Sequence, residues 1–108
     1  MSLSTHVLDA TRGTPAAGVA VLVESRADGA WEPAARGVTD ADGRVTDLGN
    51  PGAGTHRLTF GTGAYFGRLG IAAFYPEVTV TFEVTDPAAH HHVPLLLSPF
   101  AYSTYRGS

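Results

Sequence analysis

The sequence predicts an all-β fold, a β-sandwich or small barrel of about eight short strands with one short helix. Hydrophobic and polar residues alternate in several short runs, most clearly from Glu77 to Thr85. There Val78, Val80, Phe82 and Val84 face one way, and Thr79, Thr81, Glu83 and Thr85 the other. Turn-forming clusters of Gly, Pro, Asp and Asn separate the runs at roughly 8–12-residue spacing. No internal repeat, low-complexity tract or linker interrupts them, so residues 1–108 read as one domain with one modest core.

Leu3 to Asp9 reads as the first strand, bounded by the polar stretch from Asp9 to Pro15. Ser4, His6 and Leu8 share one face of it; Leu3, Thr5 and Val7 share the other. Gly18 to Arg26 carries Val19, Val21 and Val23 at period two and ends at the Asp28-Gly29 turn. A third strand lies around Trp31 to Val38. Pro33 puts it at a sheet edge or a bulge, because proline has no N–H to give to a ladder. Asp42-Gly43 makes a second turn ahead of Arg44 and Val45, and Leu48 to Gly54 is strongly turn-forming. Thr55 to Phe60 alternates again, with His56, Leu58 and Phe60 on one face. Tyr65 to Phe74 breaks the pattern and can hold one short helix, weakened by its glycines. His90 to Ser98 and Tyr102 to Arg106 complete the strands. So small and edge-rich a sandwich favours oligomerisation, since pairing subunits covers sheet edges.

Composition narrows the chemistry. A net charge of -3 without a single lysine leaves no basic footprint for nucleic acid and excludes lysine-based catalysis. The absence of cysteine removes thiol nucleophiles, disulfides and thiolate-bound zinc. No apolar run approaches the roughly 20 residues of a membrane helix, and Met1-Ser2-Leu3-Ser4 does not open a secretion leader. A cytoplasmic location is expected. Any catalysis must use His, Arg, Asp, Glu, Ser, Thr or Tyr, or a bound metal.

The histidines are the informative candidates. His6 lies mid-strand and reads, on its own, as a half-buried histidine bonded to its neighbours. On a strand, His90 and His92 project to one face and His91 to the other. They form either a solvent-exposed strand start or a His-X-His metal site completed by His6 or His56. His92 leads directly into the apolar run Val93 to Leu97, which favours holding it by packing. Arg44 reads as a solvated turn arginine and Arg106 as a terminal one, while Tyr105 and Ser108 add hydroxyls beside it. No Gly-X-Ser-X-Gly elbow or phosphate loop is present. Imidazole is a base suited to neutral pH, and the arginine fork recognises carbonyls and anions. The set suits water activation against an electron-rich, partly anionic heterocycle.

Four segments carry a resemblance. They are Leu3-Ser4-Thr5-His6-Val7-Leu8-Asp9, Thr39-Asp40-Ala41-Asp42-Gly43-Arg44, Phe74-Tyr75-Pro76-Glu77, and the stretch from His90 through Val93-Pro94-Leu95-Leu96-Leu97-Ser98-Pro99 to Tyr105-Arg106-Gly107-Ser108. Together they closely resemble the 5-hydroxyisourate hydrolases, the transthyretin-related enzymes of urate breakdown. The hormone carrier transthyretin shares the fold and the Tyr-Ser-Thr but not the Tyr-Arg-Gly-Ser ending.

The resemblance implies an eight-stranded transthyretin-like sandwich with its helix in the Tyr65 to Ala73 region. It implies a homotetramer, a dimer of dimers, with active sites at the dimer–dimer interface. The reaction implied is hydrolytic ring opening of 5-hydroxyisourate to 2-oxo-4-hydroxy-4-carboxy-5-ureidoimidazoline, with no metal or organic cofactor. By the same resemblance His6, Arg44, His92 and Ser108 are catalytic, and Arg44, Tyr105, Arg106 and Ser108 bind substrate. His6 and His92 would hold and deprotonate a water, with the arginines on substrate oxygens. His91 departs from the family pattern, which often has tyrosine there, and His90 matches a position that is often histidine. The competing expectations are a non-catalytic carrier and a metal-dependent hydrolase.

Overall fold

A computed structural model of the chain describes residues 3–108; the Met1-Ser2 opening read above lies outside the described residues. In order, the elements are β1 (Leu3–Asp9), β2 (Thr14–Pro15), β3 (Ala20–Ala27), β4 (Ala30–Val38), β5 (Arg44–Val45), β6 (Gly54–Phe60), α1 (Thr62–Arg68), β7 (Val78–Val84), β8 (His91–Ser98) and β9 (Ala101–Thr104). The strands make two sheets, β2-β1-β8-β9 with β5 also paired to β1, and β4-β3-β6-β7. The expected sandwich with one short helix is therefore what forms. The two-residue strands β2 and β5 are too short to show an alternation and escape a reading by periodicity.

Alternation decides which side chains enter the space between the sheets. Leu3 and Val7 of β1, Val93, Leu95 and Leu97 of β8, Val21 and Val23 of β3, and Leu58 and Phe60 of β6 all meet in one buried cluster. Each such side chain stabilises the fold by about 1.5–3 kcal/mol on burial. On β7 only Val78 and Val84 are fully covered; Val80 and Phe82, on the same face, are half-buried.

β4 is a sheet edge, and its register against β3 slips between Val23 and Glu24. Val23 stands opposite Ala35 and Glu24 opposite Pro33, so Ala34 is the extra residue of a bulge. Pro33 thus occupies both settings that its missing N–H allows.

The helix starts earlier than the sequence suggested and stops at Arg68. Tyr65 and Phe66 anchor it in the core, and Gly70 at φ 70 turns the chain out of helical geometry. Tyr65 also donates its hydroxyl to Asp9 Oδ2 at 2.8 Å. Asp9, fully buried at the end of β1, accepts the main-chain N–H groups of Thr11 and Arg12 as well. These bonds offset the expense of burying a carboxylate. Burial first, and then the neighbouring Asp9, push the Tyr65 phenol above its usual range.

Two features set up the region around β1. The turn before β5 is held by Asp40 Oδ1, which accepts the N–H groups of Asp42 and Arg44 at 2.9 and 3.0 Å. Gly43, at φ 75, sits so close to the Val7 carbonyl that a Cβ there would overlap it. The turn is thereby pressed onto β1, and His6 and Arg44 become direct partners across the β1–β5 pairing. On the other side, β8 runs parallel to β1 with Ser4 beside His92 and His6 beside Pro94. Among the described residues, no helix is long and apolar enough to cross a membrane.

Candidate active site

On β1 the inward face holds Leu3, Thr5 and Val7, which leaves Ser4 and His6 on the outer face. On β8 the inward residues are His91, Val93 and Leu95, which turns His92 outward, on the same side as the exposed His90. Parallel pairing of the two strands then brings Ser4 beside His92, and β5 adds Arg44 next to His6. The last residues of the chain fold back over this face. The Gly107 N–H donates to the His92 carbonyl at 2.8 Å and so carries Ser108 to the same place. Ser4, Arg44, His90, His92 and Ser108 wall an open cavity of about 310 Å³.

His92 is half-buried, and its Nδ1 lies 2.8 Å from Ser4 Oγ. Its pKa is lowered below the ordinary histidine value. Burial is the main cause, followed by the positive charges of Arg44, His6 and His90, with a hydrogen bond to the Ser4 main chain acting in the opposite direction. The ring is thus kept neutral near neutral pH, as a proton acceptor must be. His6 Nε2 donates to the Asp42 carbonyl at 2.8 Å, so its Nδ1 keeps the lone pair when the ring is neutral. Among the described residues, no carboxylate is ion-paired with Arg44, and its guanidinium borders the cavity, where it can meet an electron-rich oxygen.

The structure gathers Arg44, His92 and Ser108 around one cavity, with His6 beside Arg44. It puts Tyr105 and Arg106 elsewhere. These two border a second cavity of about 250 Å³, where the sandwich opens between β7 and the tail, and His92 forms part of both walls. His91 also borders that second cavity. It is buried, its Nδ1 donating to the Ala89 carbonyl at 3.0 Å, and so is not the exposed strand start that its sequence neighbourhood allowed. His92, expected to be held by packing, is the less buried of the two. His56 is remote from both in function: it lies buried in the other sheet between Ser25 Oγ at 2.8 Å and the Gly52 carbonyl at 2.6 Å. Among the described residues, no three His, Asp or Glu side chains come together as a metal site requires.

The residue that sequence reasoning missed is Ser4. Its Oγ contacts His92 Nδ1 and also His90 Nε2, at 3.0 Å. A face shared with His6 was visible in the alternation of β1; contact with β8 was not.

Residues 3–107 match the model of the HIUase/Transthyretin family. The chain belongs to that family. It is 45% identical over 109 residues to the 5-hydroxyisourate hydrolase of Salmonella dublin, which covers 98% of this chain and 80% of that one. Two solved structures share its fold at 39% identity. One is the 5-hydroxyisourate hydrolase of Klebsiella pneumoniae, with a TM-score of 0.89 and all of both chains covered. The other is a sea bream transthyretin in complex with thyroxine, with a TM-score of 0.92 over 99% of this chain and 95% of that one. The transthyretin-like sandwich expected from the sequence motifs is thus borne out. Within the family, fold similarity alone does not separate hydrolase from carrier, and the side chains of the cavity have to do so.

Proposed function

We propose that this protein hydrolyses 5-hydroxyisourate to 2-oxo-4-hydroxy-4-carboxy-5-ureidoimidazoline in urate breakdown. The observation that carries this reading is His92, an imidazole with a lowered pKa, set beside Arg44 on one open cavity with Ser108 at its wall. The 45% identity to a named hydrolase over nearly the whole chain supports it.

The chemistry follows from those groups. His92 takes a proton from water through Nε2, the nitrogen not engaged by Ser4. The resulting hydroxide adds to the ring carbonyl, and charge grows on the carbonyl oxygen. Arg44 stabilises that oxyanion with its planar fork. The ring C–N bond then breaks, and the His92 imidazolium returns its proton to the departing nitrogen. His6, through its Nδ1 lone pair, helps to hold the water, and Ser108 hydrogen-bonds substrate or water. Tyr105 and Arg106 reach the substrate only if the tail is completed by a neighbouring subunit.

That condition agrees with a homotetramer built as a dimer of dimers. Among the described residues, the edge strands β7 and β9 are unpaired on their outer sides. Around them stand the half-buried Val80 and Phe82 and the exposed Phe100, Tyr102 and Tyr105, an apolar border suited to a second copy of the chain. A cytoplasmic location and a single domain over residues 1–108 complete the proposal.

The sea bream transthyretin with bound thyroxine supports one alternative, a binding protein without turnover. Both readings are tested by following the ultraviolet absorbance of 5-hydroxyisourate, generated from urate by urate oxidase, with and without the protein and with a chelator. Accelerated decay that survives chelation establishes a metal-free hydrolase. Decay accelerated only without chelator indicates a metal enzyme, and no acceleration favours the binding protein.

A further inference from the structure

Ser4 Oγ stands between two imidazoles, 2.8 Å from His92 Nδ1 and 3.0 Å from His90 Nε2. The two rings are nearly parallel, at 17°, with centroids 6.5 Å apart. Ser4 is itself buried, while His90 is exposed. A serine hydroxyl has one proton to give and lone pairs to accept with, so the three groups form a directed chain.

Two orders of protons run through that chain from one ring to the other. In the first, His92 Nδ1–H donates to Ser4 and Ser4 donates to His90 Nε2. His92 Nε2 then carries the lone pair toward the cavity. In the second, His90 Nε2–H donates to Ser4, Ser4 donates to His92 Nδ1, and His92 Nε2 bears the proton and cannot act as a base. Ser4 therefore decides whether His92 is ready to react.

We propose that Ser4 is a positioning residue that holds His92 in its Nδ1–H tautomer, and that with His90 it forms a proton relay behind the site. This rests on the hydrolase reading above. When water gives its proton to His92 Nε2, the ring is an imidazolium with both nitrogens protonated. The Nδ1 proton passes to Ser4 Oγ as the Ser4 proton passes to His90 Nε2. His92 is left neutral with its proton on Nε2, and the positive charge rests on His90. When the ring C–N bond breaks, His92 Nε2 gives its proton to the leaving nitrogen as Ser4 returns a proton to His92 Nδ1 and takes one back from His90 Nε2, which leaves both rings neutral and the chain reset. No atom is gained or lost, and the charge moves from a half-buried ring to an exposed one. This relocation is favourable because the surroundings of His92 disfavour its cation.

The test uses the full chain and three variants, Ser4→Ala, Ser4→Thr and His90→Gln. Nitrogen-15 chemical shifts of the histidine rings report the tautomer of His92 without any reference to turnover. The wild type should show a protonated Nδ1 and an unprotonated Nε2. Ser4→Ala should mix the tautomers and lower kcat about 10- to 100-fold with KM within about twofold, the size expected when a general base is misoriented rather than removed. Ser4→Thr keeps a hydroxyl and should restore both readouts. His90→Gln should keep the tautomer but lower kcat, and added imidazole should recover the loss, which a structural defect would not permit. Ser4→Ala with an unchanged tautomer and unchanged kcat overturns the positioning role. His90→Gln with wild-type kcat overturns the relay. A wild type that shows the Nδ1–H tautomer yet does not hydrolyse 5-hydroxyisourate defeats the hydrolase reading while leaving the Ser4 assignment intact.

Discussion

Gly107 lies flat against His92. Its N–H donates to the His92 carbonyl at 2.8 Å, and a Cβ at position 107 would overlap the imidazole edge at Cδ2. No residue but glycine lets the tail close over the ring while keeping that bond. Gly107→Ala should therefore push the tail off β8, carry Ser108 away from the cavity and lower kcat/KM at least about tenfold. The exposed tail adds little to the core, so Tm should change by less than about 3 °C. A large Tm loss with normal kinetics would reverse this account.

His92→Asn removes the base and keeps a hydrogen-bonding amide near Ser4. kcat should fall by about 10² to 10⁴, the usual contribution of a positioned general base. The fold should persist, as read by far-ultraviolet circular dichroism. Retention of near-normal kcat would move the base to another group, with His6 the next candidate.

The pH profile carries a signed expectation. His92 has a lowered folded-state pKa, chiefly through burial. The acid limb of kcat/KM should then fall below the ordinary histidine value of about 6.5. Linkage gives the matching stability effect. Between the folded pKa and about 6.5 the unfolded chain binds more protons than the folded one, so stability from this group is complete above about 6.5 and declines as pH falls toward the folded value. Denaturant titrations across pH 5 to 7 should show a weaker decline in His92→Asn than in the wild type.

Arg44→Lys separates charge from geometry. Lysine keeps the positive charge but loses the planar fork. Steady-state kinetics should show a loss of about 10² in kcat/KM, comparable to removing one oxyanion donor. Equal activity of the two forms would mean that Arg44 acts only through its charge. The β1–β5 pairing uses main-chain atoms and should survive the change.

The Asp9–Tyr65 bond should matter for stability rather than turnover. Tyr65→Phe removes one donor from a fully buried carboxylate, at about 1–3 kcal/mol. For a domain of this size that corresponds to roughly 4–8 °C in Tm per kcal/mol. Thermal unfolding checks the first expectation, and unchanged kcat at 25 °C checks the second.

Much of this protein is written locally. Period-two alternation fixed which side of β1 carries Ser4 and His6, which side of β6 carries Leu58 and Phe60, and that His91 points away from His92. Pro33 announced an edge or a bulge, and Asp42-Gly43 marked the turn that delivers Arg44. These features depend on residues a few positions apart, and backbone geometry at that range is set by the residues themselves. The motifs around His6, Arg44, His92 and Ser108 carried the family as well.

What only the tertiary structure decided is who touches whom across the chain. Ser4 and His92 are 88 residues apart and meet because β1 and β8 pair in parallel at one register, which no local pattern encodes. The half-buried Val80 and Phe82 depend on where β7 ends its sheet. The separation of Tyr105 and Arg106 from the Arg44 cavity depends on how the tail folds back over His92. Alternation assigns each side chain to a face; the packing of two sheets decides which faces meet, and the chemistry of the cavity arises only from that meeting.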